Sequence, residues 1–396
     1  MTNEKLLEII TSLEVEMIEH RRYLHEHPEL SSEEFETSQY LQKYMQALGL
    51  EINLVEGTGF YAVLDTKKPG KTVGIRTDID ALPIQENDNN LVQKRQVKSL
   101  VDGKMHACGH DGHMAVVLAA AKALVNNQRD LSGKVVFIFE EAEEIGGGIH
   151  QMIEALEPLN IDAIYGTHLA SFMDTGDICL DAGPRMAGSV LFEFDVIGKG
   201  GHGSRPDLSV NPIVALAHII TALNSAWNNQ LDVSKTVTLG ITTVHSGSAV
   251  NVFDDSAYCG GSFRFFDEVE GAKSLELLKK VAHLTAEIHN CQVVFRDSTR
   301  LGPRPVINDD NLSSLAIAGV SSLFPNKVVN GIDWYASESF YHYSKLCPTL
   351  FAFVGIKNNE LGSGAEHHNQ YFDMDEAALK YSLGASLKFI YDYLNN

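Results

Sequence analysis

Basic residues are scarce. Lys and Arg number 31 against 52 Asp and Glu, a formal net charge of −21. A surface this negative repels phosphate backbones and anionic lipid, so nucleic acid is excluded as a natural partner, while the field favours cations, metals included. Long apolar runs are missing as well. The most apolar stretch, AVVLAAAKALV at 115–125, is too short to cross a bilayer and carries Lys122. The opening MTNEKLLEIITSLEVEMIEH mixes acids into an amphipathic pattern, with neither the apolar core nor the cleavage site of a secretory signal. Cysteines are few, odd in number and scattered (Cys108, Cys179, Cys259, Cys291, Cys347), which argues for reduced thiols rather than a disulfide framework. The expectation is a cytoplasmic protein with no membrane partner. Internal repeats, a G-x-S-x-G elbow, a Walker loop and an H-E-x-x-H helix are also lacking.

What is present is an ordinary globular composition, 44% hydrophobic and 21% charged over 396 residues, which is roughly two to three domains' worth of core. Leu6, Ile10, Leu13 and Met17 recur at helical spacing and open the chain with an amphipathic helix. Pro28 breaks that pattern, Ser32 can cap, and a second helix is predicted through Tyr40, Leu41, Tyr44 and Leu48 to Gly49. FYAVLD, TVGIRTDID, KVVFIFE and DAIYGTHL are short apolar runs suited to buried strands of a largely parallel sheet, with an alanine-rich helix at 114–126 between two of them. Strands alternating with helices mean α/β. The polar stretch 85–104 reads as a surface loop.

The middle of the chain changes character. GSVLFEFDVIG, a helix bearing Ile213, Leu216, Ile220, Leu223 and Trp227, TVTLGITTVH, AYCGGSFRFFD, a helix bearing Leu275, Leu278, Val281, Leu284 and Ile288, and CQVVFRD follow in order. That is β-α-β-β-α-β, the split ferredoxin-like unit. Glycine- and proline-bearing joints, DAGPRMAG and RLGPRPV, flank it. The predicted organisation is a catalytic domain in two parts, 1–184 and 300–396, with a smaller domain, 185–299, inserted.

HACGHDGH, residues 106–113, is the densest chemical signal. In extended backbone Cys108 and His110 point the same way and can meet one ion, for which thiolate and imidazole are strong ligands. Asp111 is a candidate N-cap for the helix that follows, whose N–H groups would help keep Cys108 ionised. The octapeptide alone fits a buried thiol among surface histidines equally well. KVVFIFEEAEEIGGG then runs a strand into Glu140, Glu141, Glu143 and Glu144 at the edge where α/β sheets bind ligands. There, one acid can coordinate metal while its neighbour accepts a proton from water. His168 closes a strand-like run, and His367 and His368 sit in LGSGAEHHNQYFD. Cys108, His110, Glu144, His168 and His368 form a dispersed ligand set, as expected of an open catalytic site rather than a compact zinc knuckle. GKGGHG at 198–203 imitates a dinucleotide fingerprint, but Pro206 and Pro212 delay the next helix and no acid stands about 20 residues on.

Six segments (RRYLHEHPELSSEE, IRTDIDALPI, MHACGHDGHMA, EEAEEIGGG, GKGGHGSRP and HHNQYFDMDEAAL) occur in the order found in metal-dependent amidohydrolases. The chain resembles that family, which includes aminoacylases, hippurate hydrolases, auxin-conjugate hydrolases and N-acetyl-diaminopimelate deacetylases, over essentially its whole length. Glutamate carboxypeptidase is a more distant relative. The resemblance implies a mixed, largely parallel sheet flanked by helices and an inserted ferredoxin-like lid and dimerisation domain. It implies two divalent metal ions per subunit, with Cys108 bridging them, Glu144 and His368 completing one site, and His110 and His168 the other. By the same match Glu143 is general base and acid, and Asp78 supports a ligand or the base from behind. His202 reaches the active site of a partner subunit, and Asn251 and Arg264 hold the substrate's carbonyl or carboxylate end.

The thiolate favours zinc, with manganese or cobalt possible. The expected substrate is a small amide, an N-acyl amino acid or a short peptide, and the expected assembly a homodimer or larger. Three positions depart from the family pattern: Glu140-Glu141 where Gln-Pro is usual, Ser339 where an aspartate is usual, and Gly203 where alanine is common. Two other readings stand beside the metallohydrolase. One is a hydrolase with Cys108 as nucleophile and His110 or His168 as its base. The other is a non-catalytic protein that keeps the fold to bind a ligand.

Overall fold

The computed structural model describes residues 1–395. They fall into two compact units, one made of Met1–Gly183, Ile307–Ile332 and the segment from His342 onward, the other of Pro184–Val306 and Asp333–Tyr341. The second unit therefore reclaims a short stretch far down the chain, where irregular backbone offers no periodicity to read.

The first unit is built on an eight-stranded sheet. Its labelled strands are β1 (Ile52–Leu54), β2 (Phe60–Asp65), β3 (Thr72–Asp78), β4 (Lys134–Glu140), β5 (Ala163–Asp174) and β6 (Ile178–Cys179). Two later strands, Val328–Val329 and Thr349–Lys357, complete the order β1-β2-β4-β3-β5-(349–357)-β6-(328–329). The central four strands are parallel, whereas β1–β2, β2–β4 and the 349–357 strand with β6 are antiparallel pairs. The sheet is thus mixed and largely parallel. Side chains of β4 alternate between two covered faces. Val135, Phe137 and Phe139 join the core under the helices, and Val136 and Ile138 are equally buried on the other side, so both faces need apolar residues.

Among the helices that share that core are α1 (Asn3–Glu26), through its stripe Leu6, Ile10, Leu13 and Met17, α3 (His110–Asn126), and the C-terminal helix Leu379–Asn395. α3 is apolar nearly all round because it lies sandwiched in the unit. Its N-cap is Gly109, at φ 92°, and not the expected Asp111. Asp111 sits in the first turn with its carboxylate turned into the core against Arg21 and His25, and a buried cation outcompetes backbone amides for it. Likewise α2 (Phe35–Ala47) starts after Glu34 with no side-chain cap, and Ser32 stands outside it at φ 66°. The 85–104 stretch is irregular, yet not simply surface. Glu86 and Arg95 are buried and paired at 3.2 Å, and Arg95 also donates to Asn87 O and Gln370 O.

The second unit has an antiparallel sheet in the order 237–245, 256–265, 188–197, 292–295, with helices Pro212–Gln230 and Glu268–Ile288. Phe192, Phe194, Ile219, Leu223, Phe263 and Leu278 form its core. Strand–helix–strand–strand–helix–strand with this order is the ferredoxin-like arrangement. Among the described residues, no helix is long and apolar enough to cross a membrane.

Candidate metal centre

The carboxyl ends of the parallel strands converge on one place. β3 ends at Asp78, in register with Glu140 at the end of β4, and His168 lies in β5 opposite Phe353. His168 is mid-strand rather than at a strand end, because β5 continues to Asp174. The backbone turns at Gly109, so Cys108 precedes α3 while His110 begins it, in place of the extended pairing expected. β4 delivers Glu143 and Glu144 through a left-handed turn at Ala142 (φ 52°) and a single 3₁₀ turn. His368 comes from the loop before the C-terminal helix, its N–H held by Ala107 O at 2.9 Å.

Donor atoms of Cys108, His110 and His168 lie within 4.8 Å of one another, and so do those of Cys108, Glu144 and His368. The two trios share Cys108. Glu143 stands within the same reach of His110 and Glu144. Hydrogen bonds say which ring nitrogens remain for a ligand. His168 donates Nδ1–H to Leu169 O at 2.9 Å, which turns its Nε2 lone pair toward Cys108 Sγ, 3.5 Å away. His110 donates Nδ1–H to Asp80 O at 2.9 Å; its Nε2 is buried, has no hydrogen-bond partner among the described residues, and faces Glu144 Oε1 at 3.8 Å. Glu144 Oε1 is buried and lacks a hydrogen-bond partner too, lying 3.3 Å from His368 Nε2. Buried polar atoms left without partners are costly, and a shared cation accounts for both. Sulfur, imidazole and carboxylate donors fit zinc and related divalent ions. The residues present therefore fit a metal pair.

The local field fits as well. Burial disfavours a charged His110, yet Asp78, Asp80 and Glu144 outweigh it and push the imidazole up to about 10. A site that holds a proton this firmly without metal is one whose carboxylates attract a cation. His168 moves the other way, well below its ordinary value, through burial and then the neighbouring His113 and His367. A thiolate–imidazolium pair with Cys108 needs a proton on His168, which that burial opposes.

Several supporting residues were given no role from sequence. His113 spends both nitrogens on support: Nδ1–H donates to Asp78 Oδ1 at 2.8 Å, and Nε2 accepts Leu169 N–H at 2.9 Å. His367 does the same with Leu169 O and Ser171 Oγ. Asp80 brackets His110 and accepts Glu144 N–H at 3.1 Å and the Ser31 hydroxyl at 2.7 Å. The signals were in plain view, the second acid of RTDID and the last histidine of HDGH. Spacing alone does not separate a ligand from the group that orients it.

His202, Asn251 and Arg264 belong to the second unit. His202 is exposed, and its Nδ1 accepts from Ser204 N–H and Oγ–H at 3.2 and 2.8 Å, which leaves the proton on Nε2. Asn251 adjoins the two-residue ladder in which Val252 faces His202, and Asn251 O accepts Gly203 N–H at 2.7 Å. Arg264 is half-buried and donates to Ser337 Oγ at 2.8 Å. Ser339, the departure from aspartate, donates its hydroxyl to buried Glu338 at 3.2 Å.

Residues 74–391 match peptidase family M20/M25/M40. A thermostable carboxypeptidase of Saccharolobus solfataricus is 34% identical over 392 residues, covering 96% of this chain and 96% of its own length. An N-acetylcysteine deacetylase of Bacillus subtilis is 34% identical over 365 residues, covering 92% and 93%. A dinuclear metal binding peptidase of the M20 family, also from Bacillus subtilis, has a TM-score of 0.83 at 30% identity and covers 97% of this chain and 99% of that one. The class is therefore a metal-dependent hydrolase acting on amide bonds. The chain belongs to peptidase family M20/M25/M40.

Proposed function

We propose that the chain hydrolyses the amide bond of N-acyl amino acids, small amide conjugates or short peptides in the cytoplasm, with Glu143 as general base and then general acid. Two divalent ions, zinc first among them, would be held by Cys108 together with His110 and His168 on one side and with Glu144 and His368 on the other. The observation that carries this reading is the pair of donor trios sharing Cys108, with Glu143 beside them. Bound ions supply Lewis-acid polarisation of the scissile carbonyl and lower the pKa of the attacking water. Glu143 takes the water's proton and returns it to the departing nitrogen. Asp78, through His113 and its position 3.6 Å from His110 Nε2, keeps the histidine cluster in place.

The second unit acts as lid and dimerisation surface. His202, with Nε2–H left as donor, steadies the oxyanion in a partner subunit's site, and Asn251 and Arg264 hold the carbonyl or carboxylate end of the substrate. Strand 237–245 supports a dimer, since it lies at the sheet's edge and offers unpaired backbone to a second copy.

A panel of N-acetyl and N-benzoyl amino acids and dipeptides, run on metal-analysed wild type and Glu143→Gln, tests the reading. The variant should keep its metal content and thermal midpoint and lose about 10²–10⁴-fold in kcat. Full turnover by Glu143→Gln ends the assignment. Activity that survives chelation but not thiol alkylation would favour Cys108 as nucleophile.

A further inference from the structure

Glu140 and Glu141, the pair that replaces Gln-Pro, separate in the fold. Glu140 Oε2 accepts Arg76 Nε at 2.8 Å and Tyr343 Oη at 2.7 Å, an ordinary buried ion pair. Glu141 turns the other way, into a cradle built for a carboxylate. Its Oε2 accepts the Thr58 hydroxyl at 2.6 Å, the Thr58 backbone N–H, and Gly59 N–H at 3.3 Å. Gly57 (φ 96°) and Gly148 make room for it: a Cβ at either position would overlap the Glu141 side chain. A second buried carboxyl shares the site. Glu34 Oε2 lies 2.8 Å from the same Thr58 hydroxyl, and Glu34 Oε1 accepts Ala142 N–H at 2.8 Å.

The protons of this cluster can be counted. One hydroxyl hydrogen cannot serve carboxylates on both sides, so one carboxyl must bring its own. Burial pushes the Glu34 carboxyl up, in the direction of holding that proton. Glu34 then donates to Thr58 Oγ, Thr58 donates to Glu141, and the Glu34 carbonyl oxygen accepts Ala142 N–H. The arrangement ends on a residue that needs holding. Ala142 is fully buried at φ 52°, ψ 39°, a region alanine rarely occupies unless its surroundings impose it. Glu143 is the next residue.

We infer that Glu141 is a positioning residue for Glu143, acting with Thr58 and Glu34 through the left-handed turn at Ala142. The inference rests on Glu143 being the base. Glu141 is in neither donor trio; it sets the direction in which the chain leaves β4.

The test is steady-state kinetics of metal-loaded Glu141→Ala, Glu141→Gln, Glu34→Gln and Thr58→Val on the best substrate of the panel above, with metal content and thermal midpoint measured on the same samples. Glu141→Ala should lower kcat about 10- to 100-fold, the scale of a misplacement near 1 Å, with KM and metal content within about twofold of wild type. Glu141→Gln and Glu34→Gln should restore most of the turnover, since an amide keeps the acceptor toward the backbone and, at Glu34, replaces the carboxyl proton. Thr58→Val, which breaks the link without removing bulk, should reproduce the kcat loss should Glu141→Ala fold poorly. Normal kcat in Glu141→Ala or Thr58→Val, whatever their thermal midpoint, overturns the positioning role. Full activity in Glu143→Gln would instead remove the underlying assignment, so the two failures are told apart.

Discussion

Replacing Asp78 by asparagine should loosen the histidine cluster and weaken metal binding together. The side chain is completely buried. Its Oδ1 accepts His113 Nδ1 at 2.8 Å, its Oδ2 accepts an Arg76 terminal nitrogen at 2.7 Å, and His110 Nε2 lies 3.6 Å away. Burial would raise the carboxyl, but His110, Arg76 and His113 hold it well below its ordinary range. Asparagine keeps the volume and one acceptor. If that acceptor stays with His113, the new NH₂ meets the Arg76 donor head-on. A hydrogen bond to a charged group contributes about 1.5–3 kcal/mol, and breaking a buried ion pair costs about 3–5 kcal/mol. Arg76 keeps Glu140 through Nε at 2.8 Å, so the expected cost is at the lower end, about 3 kcal/mol. Because a chain of two units need not unfold in one step, the assay is hydrogen exchange of the metal-free protein, read at β3 and the first turns of α3. Metal affinity, measured separately, should fall about 10- to 100-fold. Unchanged exchange at those amides and unchanged affinity in Asp78→Asn would refute the claim that this carboxylate anchors the site.

The buried network beneath α3 carries a pH signature. Burial opposes the ionised Asp111, but Arg21 at 2.9 Å and His25 at 2.8 Å depress its carboxyl below the ordinary range. A depressed carboxyl adds stability that is present above its unfolded pKa, about 3.9, and is lost as pH falls through the folded value. Asp111→Asn should therefore cost about 3 kcal/mol at neutral pH and show a shallower loss of thermal midpoint below about pH 4 than wild type; parallel acid profiles would show the ion pair to be inert. Glu34 has the opposite sign, since burial raises it. Its contribution is full below its unfolded pKa, about 4.3, and is lost as pH rises through the folded value. Glu34→Gln should remove that part of the decline with rising pH, and a wild-type profile in the variant would contradict a proton held there.

The donor set was legible because its residue types are rare together and its motifs sit at strand ends, where an α/β sheet presents ligands. Periodicity found α1 through Leu6, Ile10, Leu13 and Met17, and continuous apolar runs found β2 to β5, because each reflects a local demand for burial. The readings that failed depended on distant partners. Asp111 looks like a cap until Arg21 and His25, some 90 residues earlier, claim its carboxylate. The 85–104 stretch looks solvated until Glu86 meets His25 and Arg95 meets the Gln370 carbonyl. Glu141 looks like one more acid in an acidic turn, and only Gly57, Thr58 and Glu34 reveal its cradle.

Metal content and affinity of wild type and Cys108→Ser, titrated with zinc after exhaustive chelation, test the central claim most directly. A thiolate shared by both trios predicts two ions per chain in wild type and weakened binding of both in the variant. Two tight ions in Cys108→Ser, or one lost and the other bound at full affinity, would contradict it.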